Sequence, residues 1–301
     1  MHKLTRRGFT FVELLVALVL MGIISTSIYS LMRTNQKVYS EQSARIELNQ
    51  NVRAAVGILP AELRELDASD PNGGDIVDMT SSSVTYNGMR NTYILCQYPD
   101  SANLKLIVSP TTWYGLQPID VTDQKFLLYQ ENDFNTRTDD QWLHVGASAA
   151  AAGTACPIVV AGVVTVSTGA ASLTLTLTGT TKAALSNVTN GSPIRGYKPT
   201  RIGSYADANG EYWLGLQTQN VATNAWGAIE PMAGPIADST GLALTYYKSD
   251  GTTTTDRSLV ARIGITVSGR TQDKVRARGG AQEYITSDLS AQAALRNNRR
   301  W

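Results

Sequence analysis

Residues 6–16 read Arg6-Arg7-Gly8-Phe9-Thr10-Phe11-Val12-Glu13-Leu14-Leu15-Val16, and the apolar run that starts there continues as LVALVLMGIISTSIYSLM, residues 15–32. Lys3, Arg6 and Arg7 form a basic flank, and between Phe9 and Met32 the only charge is Glu13. As a helix, residues 9–32 span about 36 Å, enough to cross a hydrocarbon core of roughly 30 Å. The basic flank comes first, which places residues 1–7 in the cytoplasm and the bulk of the chain outside it.

Two ordinary readings compete. A secretory signal peptide has an apolar region of about 7–15 residues ending at a small-x-small cleavage site. Here the run is longer, and the candidate Ser25-Thr26-Ser27 lies inside it. A simple signal anchor fits the length. Neither accounts for a carboxylate early in the apolar stretch, since a charge there costs about 2.5–3.5 kcal/mol on insertion scales and calls for a specific partner.

The Arg6–Val16 stretch resembles the class III signal of type IV prepilins and type II secretion pseudopilins. The resemblance implies cleavage after Gly8 by a prepilin peptidase and methylation of the new amino group of Phe9. It also implies that Glu13 neutralises the N-terminal amine of a neighbouring subunit during assembly. The physical chemistry is compatible: Gly8 has no side chain to keep a protease from the scissile bond, and Glu13 in lipid needs a cation. The family's fold gives the expectation of an α+β protein, with a long N-terminal helix packed on a β-rich globular head.

The sequence divides accordingly into a leader (1–8), a helix (9–66, with 9–32 transmembrane) and a head (67–301). Val52, Val56, Leu59, Leu63 and Leu66 step by four, three, four and three, which sets one apolar stripe on the second half of the helix. The stripe is too short for an intersubunit coiled coil and predicts packing within the chain. Pro60 predicts a kink or a restart, and the Asp67–Gly74 cluster predicts the helix end.

Strand signals dominate the head. Ser83–Met89 alternates and then offers Asn87-Gly88 as a hairpin turn. Tyr93–Tyr98, Lys105–Val108 and Lys125–Tyr129 read as further strands. Residues 145–190 are nearly free of charge and contain the alternating run Leu173–Thr178, which predicts a hairpin insertion or a sticky edge. At the C-terminal end, Leu242–Gly251 reads as a strand with an Asp-Gly turn, Leu259–Arg270 as its partner, and Tyr284–Ser290 leads to Leu295-Arg-Asn-Asn. That layout is similar to the larger minor pilins and pseudopilins (PilW-like and J-type).

Cys96 and Cys156 are the only cysteines; in an exported chain a lone pair predicts one disulfide, against two separately buried thiols. Charge is unevenly placed. Residues 34–256 carry 13 basic and 21 acidic groups (net −8), and residues 257–301 carry nine basic and three acidic (net +6). Arg270, Lys274, Arg276, Arg278, Arg296, Arg299 and Arg300, with Tyr284 and Trp301, are candidates for a basic surface. It would dock on a neighbouring subunit or, as second choice, bind DNA phosphate.

No nucleotide-binding, hydrolase or metalloprotease motif stands out. Asp139-Asp140 with His144 reads as a solvated loop. Asp70, Asp75 and Asp78 near Gly73-Gly74 read as a turn ahead of a calcium site. No cofactor and no metal are expected. The reading is a non-enzymatic minor pilin or pseudopilin, with a DNA- or ligand-binding pilin on the same scaffold as the alternative. Its expected partners are other pilins or pseudopilins, prepilin peptidase, the inner-membrane assembly platform and the membrane. It would sit as a single-pass inner-membrane protein and later in a surface or periplasmic filament.

Overall fold

A computed structural model describes residues 10–68, 74–100, 104–108, 114–115, 118–133, 135–136, 139–153, 172–276 and 281–296. The chain divides into two compact units, residues 1–50 with 271–285, and residues 51–270 with 286–301. The architecture is α+β, a long N-terminal helix and a large antiparallel sheet.

Helix α1 runs over Phe11–Arg64 without interruption, 54 residues or roughly 80 Å. Pro60 lies inside it, so the helix does not restart there as the sequence suggested. A proline removes a single donor, and three residues of helix still follow Ala61 before the end. From Asn51 onward the buried positions are Val52, Ala55, Leu59 and Leu63, continued by Leu66 beyond the helix end. Ala55 takes the place expected of Val56, which is half-buried. Arg53, Arg64 and Glu65 stay exposed.

The strands are β1 (Ile76–Met79), β2 (Ser83–Asp100), β3 (Lys105–Val108), β4 (Tyr114–Gly115), β5 (Lys125–Gln130), β6 (Gln141–Gly153), β7 (Ser172–Thr178), β8 (Pro193–Ala206), β9 (Tyr212–Thr218), β10 (Glu230–Ile236), β11 (Leu242–Tyr247), β12 (Arg262–Arg270), β13 (Val275–Arg276), β14 (Gln282–Glu283) and β15 (Thr286–Ala294). Strands β13 and β14 form a separate hairpin, and the others join one sheet.

Asn87-Gly88 is not a turn. Strand β2 passes straight through it, paired with β8 from Ser83↔Gly203 to Ile94↔Pro193. Gly88 is there for space: a methyl group on it would sit 2.8 Å from Thr200 Oγ1 on the neighbouring strand. Asn87 is buried, and its N–H donates to the Asp75 carbonyl at 2.8 Å.

Part of the sheet closes on itself. Strand β2 pairs with β3, then β7, β6, β5 and β8 follow in turn, and β8 returns to β2. The long β2 makes closure possible: its first part pairs with β8 and its second part with β3. The ring encloses Tyr93, Leu95, Leu106, Phe126, Leu128, Val145, Leu175 and Ile194, alternate residues of each strand, as a small barrel filled by its own side chains requires. Tyr93, the largest of these, has its hydroxyl accepting the Ile119 N–H at 3.0 Å. The uncharged segment therefore has a structural role, since β6 and β7 are staves of this barrel; β7 has partners on both edges, and the Ala-rich half of β6, Gly146–Gly153, has β7 as its one partner strand among the described residues. Residues 154–171, including the Ile158–Val166 run, lie outside the described residues.

Gly196 on β8 leaves room for a buried polar pair, in which Asn91 Nδ2 donates to Gln124 Oε1 at 3.0 Å. The C-terminal strands form the order β11–β12–β15. Pairing runs from Leu242↔Val267 on one side of β12 and from Arg262↔Ala294 on the other.

Asp75 ties the helix exit to the sheet. It is 2% exposed. Its Oδ2 accepts the Asp67 N–H at 2.8 Å, and its own N–H donates to the Asp67 carbonyl. Asp78 is exposed, and Asp70 lies outside the described residues, so Asp75 serves the turn. Asp75→Ala would strand the Asp67 donor in a buried setting. Thermal unfolding should show a loss of about 1–3 kcal/mol, with Asp78→Ala within about 0.5 kcal/mol of the parent as the exposed control. In the barrel, Phe126→Ala should cost about 3–5 kcal/mol by the same measurement.

Candidate functional site

The site singled out by the sequence is the N-terminus of α1. Thr10 is the residue just before the helix and Glu13 lies in its first turn. The two form a reciprocal cap. Thr10 Oγ1 accepts the Glu13 N–H at 3.3 Å, and Glu13 Oε2 accepts both the Thr10 N–H and the Thr10 hydroxyl at 3.0 Å. A helix leaves its first N–H groups without intrahelical partners, and in lipid no water can satisfy them. The Thr-x-x-Glu pattern meets that need from within the chain. This second role for Glu13 was open to sequence reasoning, because Thr10-Phe11-Val12-Glu13 has capping-box spacing. Both bonds use Oε2, and Oε1 has no protein partner among the described residues. Gly8 and Phe9 lie outside the described residues.

Beyond the cap, the large apolar side chains from Phe11 to Met32 are each at least half exposed. Three hydroxyls in this stretch turn inward to the helix. Thr26 Oγ1 donates to the Gly22 carbonyl at 2.7 Å, Ser27 Oγ to Ile23 at 3.0 Å and Ser30 Oγ to Ser27 at 3.0 Å. Each is satisfied without water, which suits a lipid environment. Ser25-Thr26-Ser27 therefore lies in the middle of a regular helix.

The other sequence candidates are dispersed. Cys96 is buried on β2, and Cys156 lies outside the described residues. Among the basic residues, Arg270 pairs with Glu211 at 3.1 Å and Arg296 with Glu65 at 3.3 Å. Lys274 lies over the Tyr284 ring, 5.5 Å from its centroid. Arg276 is on β13, while Arg278, Arg299, Arg300 and Trp301 lie outside the described residues.

His144 does not join Asp139 and Asp140. Its Nδ1 shares a 2.8 Å hydrogen bond with the Tyr197 hydroxyl, at a cavity of about 310 Å³ that also meets Asn87, Trp226 and Arg257. Burial holds the Tyr197 hydroxyl up at about 12. Asp139 and Asp140 instead gather with Glu131, their carboxylate oxygens within 4.8 Å of one another. Partial burial and then the Asp140 and Asp139 charges push the Glu131 carboxyl upward, against the Tyr129 hydroxyl that donates to it at 3.1 Å. That grouping joins β5 to the start of β6 and was not legible from sequence spacing.

No curated protein sequence and no solved structure matches this chain. Residues 3–29 match the family model of the prokaryotic N-terminal methylation motif. The match covers the basic flank, Gly8, Phe9, the capped Glu13 and most of the exposed apolar stretch. Residues 3–29 thus carry the prokaryotic N-terminal methylation motif, the class III signal of type IV pilins, at the head of a long apolar helix.

Proposed function

We propose that the chain is a minor pilin or pseudopilin. In this reading it is a structural, non-catalytic subunit that initiates, caps or decorates a type IV pilus or type II secretion-like filament. The observation that carries this reading is the uncovered apolar face of α1 from Phe11 to Met32, headed by the methylation motif. Such a surface needs lipid before assembly and the stems of other subunits afterwards. The large head supports a minor role, because copies of a repeating subunit must pack side by side. Prepilin peptidase and the inner-membrane assembly platform are the partners this reading requires.

Glu13 then has two tasks. Oε2 caps its own helix, and Oε1 is the oxygen available to the Phe9 amine of a neighbour. Cleavage leaves the Thr10 N–H an amide, so the cap survives processing.

The second reading, DNA binding by the C-terminal cations, is weakened by the ion pairs Arg270–Glu211 and Arg296–Glu65. A cation already matched by a carboxylate releases fewer counterions from DNA.

Mass spectrometry of the membrane-derived protein should find an N-terminal N-methyl-Phe9. A retained leader on assembled protein, or cleavage near Ser27, would overturn the reading. The two tasks of Glu13 separate on substitution. Glu13→Gln keeps the cap and loses the charge, so it should insert normally but enter filaments poorly by immunogold labelling; wild-type incorporation would refute the charge pair. For the cysteines, non-reducing peptide mapping should recover a Cys96–Cys156 bridge. Its reduction should cost about 2–4 kcal/mol, from a closed loop of about 60 residues.

A further inference from the structure

A buried polar group without a partner costs free energy, and each one asks for a reason. Asn87 is such a group: it is 2% exposed, and its Nδ2 has no hydrogen-bond partner. The pleat of β2 settles where the amide goes. The Tyr86 hydroxyl donates to Glu62 of α1 at 3.4 Å, so the even-numbered residues of this part of β2 face the helix. Asn87 lies on the opposite face with Thr85, and pairing sets Pro199 and Tyr197 on that face too. All four line the cavity of about 310 Å³ at which His144 meets the Tyr197 hydroxyl.

The wall of this cavity is one-sided in charge. Lys125 and Arg257 belong to it, and among the described lining residues there is no Asp or Glu. Lys125 Nζ donates to Asn224 Oδ1 at 2.9 Å, and Arg257 Nη1 donates to the Val77 carbonyl at 2.7 Å. Each bond steadies a cationic head that carries further N–H donors. The carboxylates behind the wall are turned elsewhere: Asp256 Oδ1 accepts the Ser258 N–H and hydroxyl, and Asp75 Oδ2 accepts the Asp67 N–H. The cavity therefore suits an anion. An amino acid would bring an ammonium group that no described lining carboxylate matches. A phosphate site gathers backbone N–H groups, whereas the short turn Arg257–Leu259 has its Ser258 N–H already taken by Asp256. Gln219 and Ser258 add an amide and a hydroxyl to the wall, which an alkyl acid would leave unmatched. Trp226 adds an indole, held by the Arg201 guanidinium 4.3 Å from its ring centroid.

We propose that this cavity binds one acidic sugar unit, a hexuronate. Its carboxylate answers Lys125 and Arg257, a hydroxyl accepts from the unpartnered Asn87 amide, and its C–H face lies against Trp226. A volume of about 310 Å³ is at the lower end for ligand pockets, roughly 300–1,000 Å³, and suits a single sugar ring. The site lies wholly in the head, far in sequence from the methylation motif, so its test does not depend on the pilin reading.

The test uses the full-length protein in micelles of a polyoxyethylene detergent, which carries no sugar. Ligand-observed NMR titrations with galacturonate and glucuronate should saturate, with at least one of them bound ~10-fold more tightly than glucose. Acetate at equal concentration should not displace it. Lys125→Gln should bring the uronate down to the level of glucose and leave glucose unchanged. Asn87→Leu nearly keeps the volume and removes the amide. Uronate binding should then fall ~10-fold while the melting temperature holds or rises, because a buried donor without a partner is gone. Should Asn87→Leu fail to fold, Lys125→Gln still decides. Four results would each overturn the proposal: no saturation with either uronate, acetate bound as well as the uronate, glutamate bound more tightly than the uronate, or an Asn87→Leu protein that melts lower with binding intact.

Discussion

The exposed apolar surface of α1 between Phe11 and Met32 is the constraint around which the molecule is arranged. No water-facing helix keeps such a face uncovered at acceptable cost, so residues 11–32 belong in lipid or among other apolar helices. Backbone and side-chain polar groups in that stretch must then be satisfied from within. The Thr10–Glu13 cap does this at the helix start, and the Thr26, Ser27 and Ser30 hydroxyls do it along the helix. The same helix changes character after Asn51, where its buried stripe meets a sheet.

The junction between helix and head is built from backbone and from charge. Asp75 holds the helix exit against β2 from one side. From the other, the Arg296 N–H takes the Arg64 carbonyl, and the Arg296 side chain pairs with Glu65. The exposed ion pair contributes little by itself; the backbone bond satisfies an end carbonyl of α1 that would otherwise lack a protein partner. Arg296, two residues past β15, thereby closes the end of the first helix, 232 positions away in sequence.

The barrel explains why a segment so poor in charge persists in the head. Strands β6 and β7 face a filled interior on one side; β7 is paired along both edges, by β3 and β6, while β6 pairs with β5 over Gln141–Val145 and with β7 over Gly146–Gly153. A sheet that closes on itself removes its edges only where each strand is paired on both sides, as β7 is between β3 and β6.

The sequence by itself determined the features carried by local pattern. The basic flank, Gly8, Phe9, Glu13 and the apolar run specify the methylation motif and an apolar helix long enough to cross a membrane, because hydropathy and spacing along one helix need no knowledge of distant chain. The stripe Val52–Leu66 and the alternation in Leu173–Thr178 and Leu242–Tyr247 were legible for the same reason. The tertiary structure decided what depends on partners far away in sequence. Asn87-Gly88 has the composition of a turn, but pairing with Lys198 and Pro199 keeps it in a strand, where glycine answers the closeness of Thr200. Ring closure through β2 and β8, the gathering of Glu131 with Asp139 and Asp140, and the engagement of Arg270 and Arg296 with acids are likewise set by long-range pairing. Sequence spacing constrains which residues share a face of one element; it leaves open which elements become neighbours, and those neighbours decide which polar groups are satisfied and which edge stays open.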